Sequence, residues 1–149
     1  MSLKKLLLLG AILCISFGTF AQNPAKPRTL NIEVTNLRNS KGVVQFALYN
    51  KDGTIPDEQF KNYFRIGTSP IVDGKSNFTF EYLPEGKYAV SILHDENENG
   101  KVDKGLIKPK EGIGFSNYKS IGLSNRPNFS KASFLLTEDL DITIKTVYM

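Results

Sequence analysis

Apolar and polar residues alternate in several short stretches of the chain. Leu30, Ile32 and Val34, for example, are each separated by one polar residue, and a period of two is typical of a β-strand with one buried face. Short apolar runs bounded by turn residues indicate further strands. The predicted strands are 30–34, 44–48, 66–72, 78–82, 87–94, 132–136 and 140–146.

Turn residues connect the predicted strands at both ends of this series. Residues 39–42 (Asn-Ser-Lys-Gly) separate the first two strands, and residues 137–139 (Thr-Glu-Asp) separate the last two. Two apolar runs joined by a short turn predict a β-hairpin, so we expect a hairpin in each place. Between His94 and Ser120 the chain is interrupted by several glycines, and beyond His94 this interval is predicted to be irregular.

One stretch has a helical period instead. Residues 57–64 begin with two acidic residues and place Phe60, Tyr63 and Phe64 at helical spacing, which predicts a short helix or turn over one end of the sheet. Aromatic residues at this spacing usually fill a core. The three rings are therefore expected to be buried.

About seven strands with one short helical insertion predict an all-β fold. Antiparallel strands separated by frequent turns are typical of a β-sandwich, here prealbumin-like or Ig-like. The chain has no Trp and only one Cys, so it is not of the antibody type. The core is predicted to contain Ile32, Val34, Phe46, Leu48, Phe78, Phe80, Tyr88, Val90, Ile92, Phe134, Leu136, Ile142 and Ile144.

Residues 1–21 have the pattern of a secretory signal peptide. Lys4 and Lys5 precede an apolar run from Leu6 to Phe20, and cleavage is expected after Ala21. The run is short for a membrane span, so we expect no transmembrane anchor once it is removed. Export to the periplasm or the extracellular space follows from this prediction.

Cleavage would change the composition of the chain. It removes Cys14 and two of the 19 basic residues, which leaves 17 basic against 15 acidic residues and a formal charge of +2. This small excess has no basic cluster, so a nucleic-acid partner is not expected. Residues 22–28 contain two prolines and are predicted to be a tether, with one domain at 29–149. Without a disulfide, a bound cation or a well-packed core must stabilise it.

Oxygen-bearing side chains recur at every second position after the fifth predicted strand. A hard cation such as Ca²⁺ takes six to eight oxygen ligands, and a glycine permits the chain to turn around it. The spacing matches the first part of an EF-hand type calcium loop. Counted from the first ligand, positions 1, 3, 5, 6, 7 and 9 of the loop are Asp95, Asn97, Asn99, Gly100, Lys101 (through its carbonyl) and Asp103.

The match to a calcium loop is incomplete. Position 12 is Leu106, where an EF-hand has a bidentate Glu, and the flanking segments do not have the pattern of two helices. The nearest acidic residue downstream is Glu111, which we nominate as the missing ligand. The alternative is a polar hairpin loop without a metal, because Asn, Asp and Gly are also favoured in turns.

Catalytic groups are few in this sequence. The single histidine, His94, is in phase with Tyr88, Val90 and Ile92, which predicts that it ends the row of residues facing the core. No cysteine remains after cleavage to act as a nucleophile. We therefore do not expect an enzyme.

Five stretches of the chain together have the pattern of a known family. They are Leu83-Pro84-x-Gly86-x-Tyr88-Ala89-Val90, His94–Asp103, Pro109–Asn117, Pro127-x-Phe129 and Ala132-x-Phe134. In these stretches the chain resembles the small exported bacterial proteins known as domain of unknown function 2141, a family without an established activity. The resemblance implies export, the sandwich and the loop, but no reaction. The stretch 83–90 is also similar to prealbumin-like sandwich modules.

Two functions are consistent with these patterns. The first is a monomeric binding or structural module of the cell envelope, stabilised by calcium, whose partner is an envelope protein or glycan. The second is a secreted hydrolase, or an accessory domain of an enzyme, that uses the cation catalytically. Catalysis would require an open coordination position next to a base.

Overall fold

The computed structural model describes residues 25–149. The predicted signal peptide, 1–21, and the first part of the predicted tether lie outside these residues. Within 25–149, no helix combines the length and the apolar character needed to cross a membrane.

The described residues form eight strands and one short helix. Each of the seven predicted strands overlaps an observed one, and the eighth lies in the interval that was predicted to be irregular. The elements are β1 (Arg28–Thr35), β2 (Val43–Tyr49), β3 (Arg65–Ser69), β4 (Ser76–Leu83), β5 (Gly86–Asp95), β6 (Gly112–Phe115), α1 (Phe129–Ala132), β7 (Phe134–Leu136) and β8 (Leu140–Lys145).

The strands form two sheets. One has the order β4-β1-β8 and the other β3-β2-β5-β6, with β7 paired to the first residues of β5. All named strand pairs are antiparallel except β1 with β8, which run parallel from Leu30 beside Leu140 to Thr35 beside Lys145. The predicted all-β sandwich is confirmed.

The sandwich core lies between the two sheets. All thirteen predicted core residues belong to it or pack against it, although Phe78, Phe134 and Ile142 are only partly buried. In β1 the buried residues alternate with more exposed ones, as a strand with one solvent-facing side requires. We define the sandwich core by its buried members: Leu30, Ile32, Val34, Val44, Phe46, Leu48, Phe80, Leu83, Tyr88, Val90, Ile92, Leu136 and Ile144.

The larger sheet is also covered on its other face. Loops and α1 pack there, so β2 and β5 are buried on both sides along most of their length. Nearly continuous apolar strands are typical of this situation. We define this second cluster, the loop-covered core, as Ala47, Tyr49, Ile55, Phe60, Ala89, Leu93, Val102, Phe115, Tyr118, Phe129 and Ala132.

Neither predicted hairpin is present. β1 and β2 lie in different sheets, and β7 pairs with β5 while β8 pairs with β1. The reason is burial. Both faces of β2 are covered, which requires a position inside the larger sheet, between β3 and β5, rather than beside β1. The chain leaves β1 through Asn36, which has φ 62° and whose amide donates to the Thr146 carbonyl at 2.7 Å.

The segment 57–64, predicted to be a short helix or turn, forms a turn at 58–59 and no helix. The Phe60 N–H reaches the Asp57 carbonyl at 3.1 Å, but Phe60 itself has φ 47°, a left-handed conformation that ends a helical turn. The Phe64 N–H then donates to the Leu48 carbonyl at 2.7 Å. Phe60 enters the loop-covered core, whereas Tyr63 and Phe64 are exposed, so the predicted burial of all three rings is wrong.

The observed helix α1 lies elsewhere in the chain. Asn128 caps it, and its side-chain oxygen accepts the Lys131 N–H at 2.9 Å, which satisfies one of the free donors of the first turn. Phe129 and Ala132 bury their side chains in the loop-covered core. The helix therefore serves as part of the cover over the larger sheet.

Candidate functional site

The predicted calcium loop starts where β5 ends. Asp95 is 2 % exposed, and its two carboxylate oxygens accept the N–H groups of Asn99 at 3.1 Å and Gly100 at 2.7 Å. Gly42, with φ 64°, lies against this strand end, where a Cβ atom would come within 2.0 Å of the Asp95 carbonyl oxygen. The Asp95 side chain is thus bound by the loop's own N–H groups, while its main chain packs against Gly42. These contacts turn the loop back towards the end of β5.

The two asparagines and Asp103 form the outer part of the loop. The Oδ1 atom of Asn97 accepts the Asn99 N–H at 3.2 Å, and that of Asn99 accepts the Lys101 N–H at 3.0 Å. Their amide nitrogens both donate to Asp103, at 2.6 and 2.9 Å. The hydrogen bonds from Asn99 and Asn97 lower the pKa of Asp103.

Glu111 returns to the loop from the far side. It is 4 % exposed and accepts the Glu96 N–H at 3.0 Å and the Asp103 N–H at 3.1 Å. The pKa of Glu111 is raised above its ordinary value, mainly by burial. The N–H groups of Asp103 and Glu96 counteract this rise, and the nearby carboxylates of Asp95 and Asp103 add to it. Among the described residues, this buried acid has no basic side chain within ion-pair distance.

The structure brings the predicted residues Asp95, Asn97, Asn99, Asp103 and Glu111 into one hydrogen-bonded assembly. Lys101 joins it through its N–H, while Leu106, at position 12, is fully exposed and takes no part. The chemistry of the oxygen set suits Ca²⁺. Within 25–149, however, no group of three or more His, Cys, Asp or Glu side chains is disposed to hold a metal ion, because these oxygens face the loop's own N–H groups.

The ion pair between Arg38 and Glu96, which sequence reasoning missed, helps to hold the two ends of the 95–111 loop together. Arg38 donates to Glu96 at 2.6 Å and to the Lys110 carbonyl at 3.2 Å. The hydrogen bond from Arg38 to Glu96 lowers the pKa of Glu96. The guanidinium also lies 4.7 Å from the centre of the Tyr148 ring. Arg38 follows β1 by only three residues, so nothing in the local pattern links it to a loop nearly sixty residues away.

His94 lies next to this ion pair, with its Nδ1 atom 3.8 Å from a carboxylate oxygen of Glu96. It is fully buried, as its phase in β5 predicts, and its ring nitrogens lie 2.6 Å from the Tyr148 hydroxyl and 2.9 Å from the Lys41 carbonyl. Both ring nitrogens are therefore occupied within the protein. This arrangement anchors the 36–42 connection and the last residues of the chain to β5.

Comparison with known proteins identifies the family of this chain. A family profile described as an uncharacterized protein conserved in bacteria (DUF2141) matches residues 32–144. The chain belongs to this family. The match extends from β1 to β8 and includes the whole of the 95–111 loop. No curated protein and no solved structure matches this DUF2141 chain.

Proposed function

We propose that this DUF2141 protein is an exported, non-catalytic binding or structural module of the cell envelope, and that Ca²⁺ stabilises its 95–111 loop. The observation that carries the proposal is the burial of Asp95 and Glu111, at 2 % and 4 % exposure, beside Asp103 without a basic partner among the described residues. Burying ionised carboxylates is unfavourable unless they are paired or bind a metal.

A divalent cation would compensate this negative charge. Asp95, Asp103 and Glu111 supply anionic oxygens, and Asn97 and Asn99 can turn their amide oxygens inward once Asp103 binds the ion instead of their nitrogens. The Lys101 carbonyl would complete a set of six residues, within the coordination number that Ca²⁺ prefers. All of these ligands are oxygens, as expected for Ca²⁺ rather than for softer metals.

The affinity is expected to be low. Two of the ligands are neutral amides, and Lys101 and Lys104 reduce the local negative potential. Extracellular calcium modules bind with dissociation constants on the order of 10⁻⁴ M or weaker. Such a site fills only where calcium is abundant, which fits an exported protein.

Thermal melting in chelator and in calcium tests the site. If the folded state alone binds, a free calcium concentration about one hundred times the dissociation constant stabilises it by about 2.7 kcal/mol. For a domain of this size we expect a rise in melting temperature of about 10 °C. The Glu111→Gln variant, which keeps an oxygen for one of the two N–H groups, should gain much less from calcium.

Glu98→Gln is the matched control for this experiment. Glu98 lies in the same loop but is exposed and is not a proposed ligand, so its variant should respond to calcium like the parent. A parent protein whose melting temperature is the same in chelator and in calcium would show that the loop is a polar hairpin without a metal.

Export makes a separate prediction. Signal peptidase is expected to cleave after Ala21, so the mature protein should begin at Gln22. Mass spectrometry of the protein recovered from the periplasm or the medium measures this directly. Detection of the uncleaved amino terminus, or of a lipid on Cys14, would contradict the export route.

A further inference from the structure

A groove of about 620 Å³ opens on the face of the larger sheet that carries the loop-covered core. This volume lies within the range of about 300–1,000 Å³ typical of small-molecule sites. None of the acidic residues Asp95, Asp103 and Glu111 lines the groove. Strand residues at its base are Ser91, Ile113 and Phe115, and its walls come from 56–60, 102–109, 121–127 and Met149.

Most of the groove is apolar. Phe60, Val102 and Phe115 from the loop-covered core line it together with Ile113 and Ile121. Ile107 and Leu123 also line the groove, but they are 87 % and 85 % exposed. These two side chains therefore lie at the opening of the groove. Apolar side chains gathered at an open concave surface mark an interaction site.

The polar groups of the groove divide into two kinds. Its two side-chain carboxylates have protein partners: Asp57 accepts hydrogen bonds from the Tyr49 hydroxyl and the Asn62 N–H, and Glu58 pairs with Lys104.

The remaining polar side chains are donors. Within residues 25–149, Arg126 and Lys108 form no ion pair, and Ser91, only 6 % exposed, contributes a hydroxyl to the groove. A guanidinium, an ammonium and a hydroxyl can all donate to an anionic oxygen. The part of the groove at Arg126 and Lys108 is therefore complementary to an apolar molecule that ends in an oxyanion.

We propose that this groove binds a free fatty acid, with its carboxylate at Arg126 and Lys108 and its alkyl chain along Ile113, Phe115 and Ile121. Burial of the chain supplies the favourable free energy of binding, and the two cations select for the charged head. Residues 102–109 of the 95–111 loop form one wall of the groove, but none of the six proposed calcium ligands lines it. The inference therefore does not require a bound cation.

Calorimetric titration with dodecanoate tests the proposal. The full exported protein is used in chelator, because calcium precipitates fatty acids and because binding then reports on the groove alone. Dodecanoate is expected to bind at least tenfold more tightly than 1-dodecanol, which has no charge, and butyrate, which has almost no chain, should give no measurable binding. Equal affinity for dodecanoate and 1-dodecanol would overturn the assigned role of the cations.

Lys108, Lys119 and Arg126 are exposed, so substitutions at these positions are expected to leave the fold intact. Arg126→Gln combined with Lys108→Gln is expected to weaken dodecanoate binding at least tenfold. Lys119→Gln, at an exposed lysine that does not line the groove, should bind like the parent. If all three proteins bind equally, the fatty acid does not use these cations and the proposal fails.

Methyl NMR locates the ligand. Dodecanoate is expected to shift the signals of Ile113 and Ile121 and to leave Ile142, which packs against the sandwich core, unchanged. Shifts confined to the sandwich core would overturn the assignment. Binding to phosphatidylglycerol vesicles in the absence of any dodecanoate binding would do the same, since it would make the exposed Ile107 and Leu123 a membrane contact.

Discussion

The two faces of the larger sheet are buried in different ways. On one face, strands of the opposite sheet provide the apolar surface, and backbone pairing along β1, β4 and β8 fixes its geometry. On the other face the cover consists of loops and the single turn of α1. The loop-covered core is of similar size but has no sheet behind it.

Polar side chains take the place of a second sheet on the loop side. The Ser116 hydroxyl donates to the Ala132 carbonyl at 2.7 Å, and the Asn117 amide donates to the Ser133 carbonyl at 2.9 Å. The Tyr118 hydroxyl donates to the Arg126 carbonyl and accepts the Asn128 N–H, each at 3.1 Å. Irregular backbone is thus held over the sheet by a small number of side chains, each of which satisfies main-chain groups that no strand partner reaches.

Truncating one phenylalanine in each core gives the largest expected effect. Phe80→Ala should destabilise the protein by about 3–5 kcal/mol, because the sheets cannot collapse into the space left behind. Phe115→Ala should cost less, about 2–3 kcal/mol, because loops can relax into the smaller cavity. Urea denaturation measures both. Equal losses would show that the loop cover is as rigid as the opposite sheet, and the distinction between the two faces would be lost.

Removing a polar anchor of the loop side is expected to have a smaller effect. Asp57→Ala leaves the hydroxyl of Tyr49 and the Asn62 N–H without their acceptor, and an unsatisfied buried group costs about 1–3 kcal/mol. Asp57→Asn keeps an acceptor oxygen at the same place and should retain most of the stability. If the alanine and asparagine variants unfold at the same urea concentration, the hydrogen bonds to Asp57 do not hold the loop.

Alkaline pH provides the smallest and most selective effect. Burial of Tyr49, with the nearby carboxylate of Asp57, raises the pKa of its hydroxyl above the ordinary value of 10.0. The folded state then keeps a proton that the unfolded state loses, so this contribution is complete below pH 10 and is lost as the pH rises above it. Between pH 10 and 11 the parent should lose up to about 1.4 kcal/mol more than Tyr49→Phe. Parallel losses in the two proteins would contradict the raised pKa.

The sandwich core could be predicted from the sequence because its strands obey a local rule. Ile32 and Val34, or Ile142 and Ile144, alternate with polar neighbours, and alternation identifies a strand with one wet face. In β2 and β5 the same rule selects only half of the buried residues. Ala47, Ala89 and Leu93 stand between the predicted positions, and the unbroken apolar runs that contain them were the available signal for a second covered face.

Strand partners could not be predicted in the same way. The hairpin predictions assumed that neighbours in sequence pair in space, but the choice of partner for β2 and for β8 depends on which faces the whole sheet must bury. In the candidate site, spacing was sufficient to find Asp95, Asn97, Asn99 and Asp103, and chain proximity was sufficient to nominate Glu111. The contact of Arg38 with Glu96 was not predicted, because it forms only where the 36–42 connection passes from one sheet to the other.

The parallel pairing of β1 with β8 has a mechanical consequence. The first strand of the domain enters at Arg28 and the last one leaves at Lys145, and the two run side by side in the same direction through six paired positions. A force that pulls the two ends of the domain apart therefore acts along the strands in opposite directions and loads these pairs in shear, all at once. Resistance to such a force depends on the rate of unfolding rather than on equilibrium stability. A domain attached at both ends would thus be strongest along the line that joins its attachments.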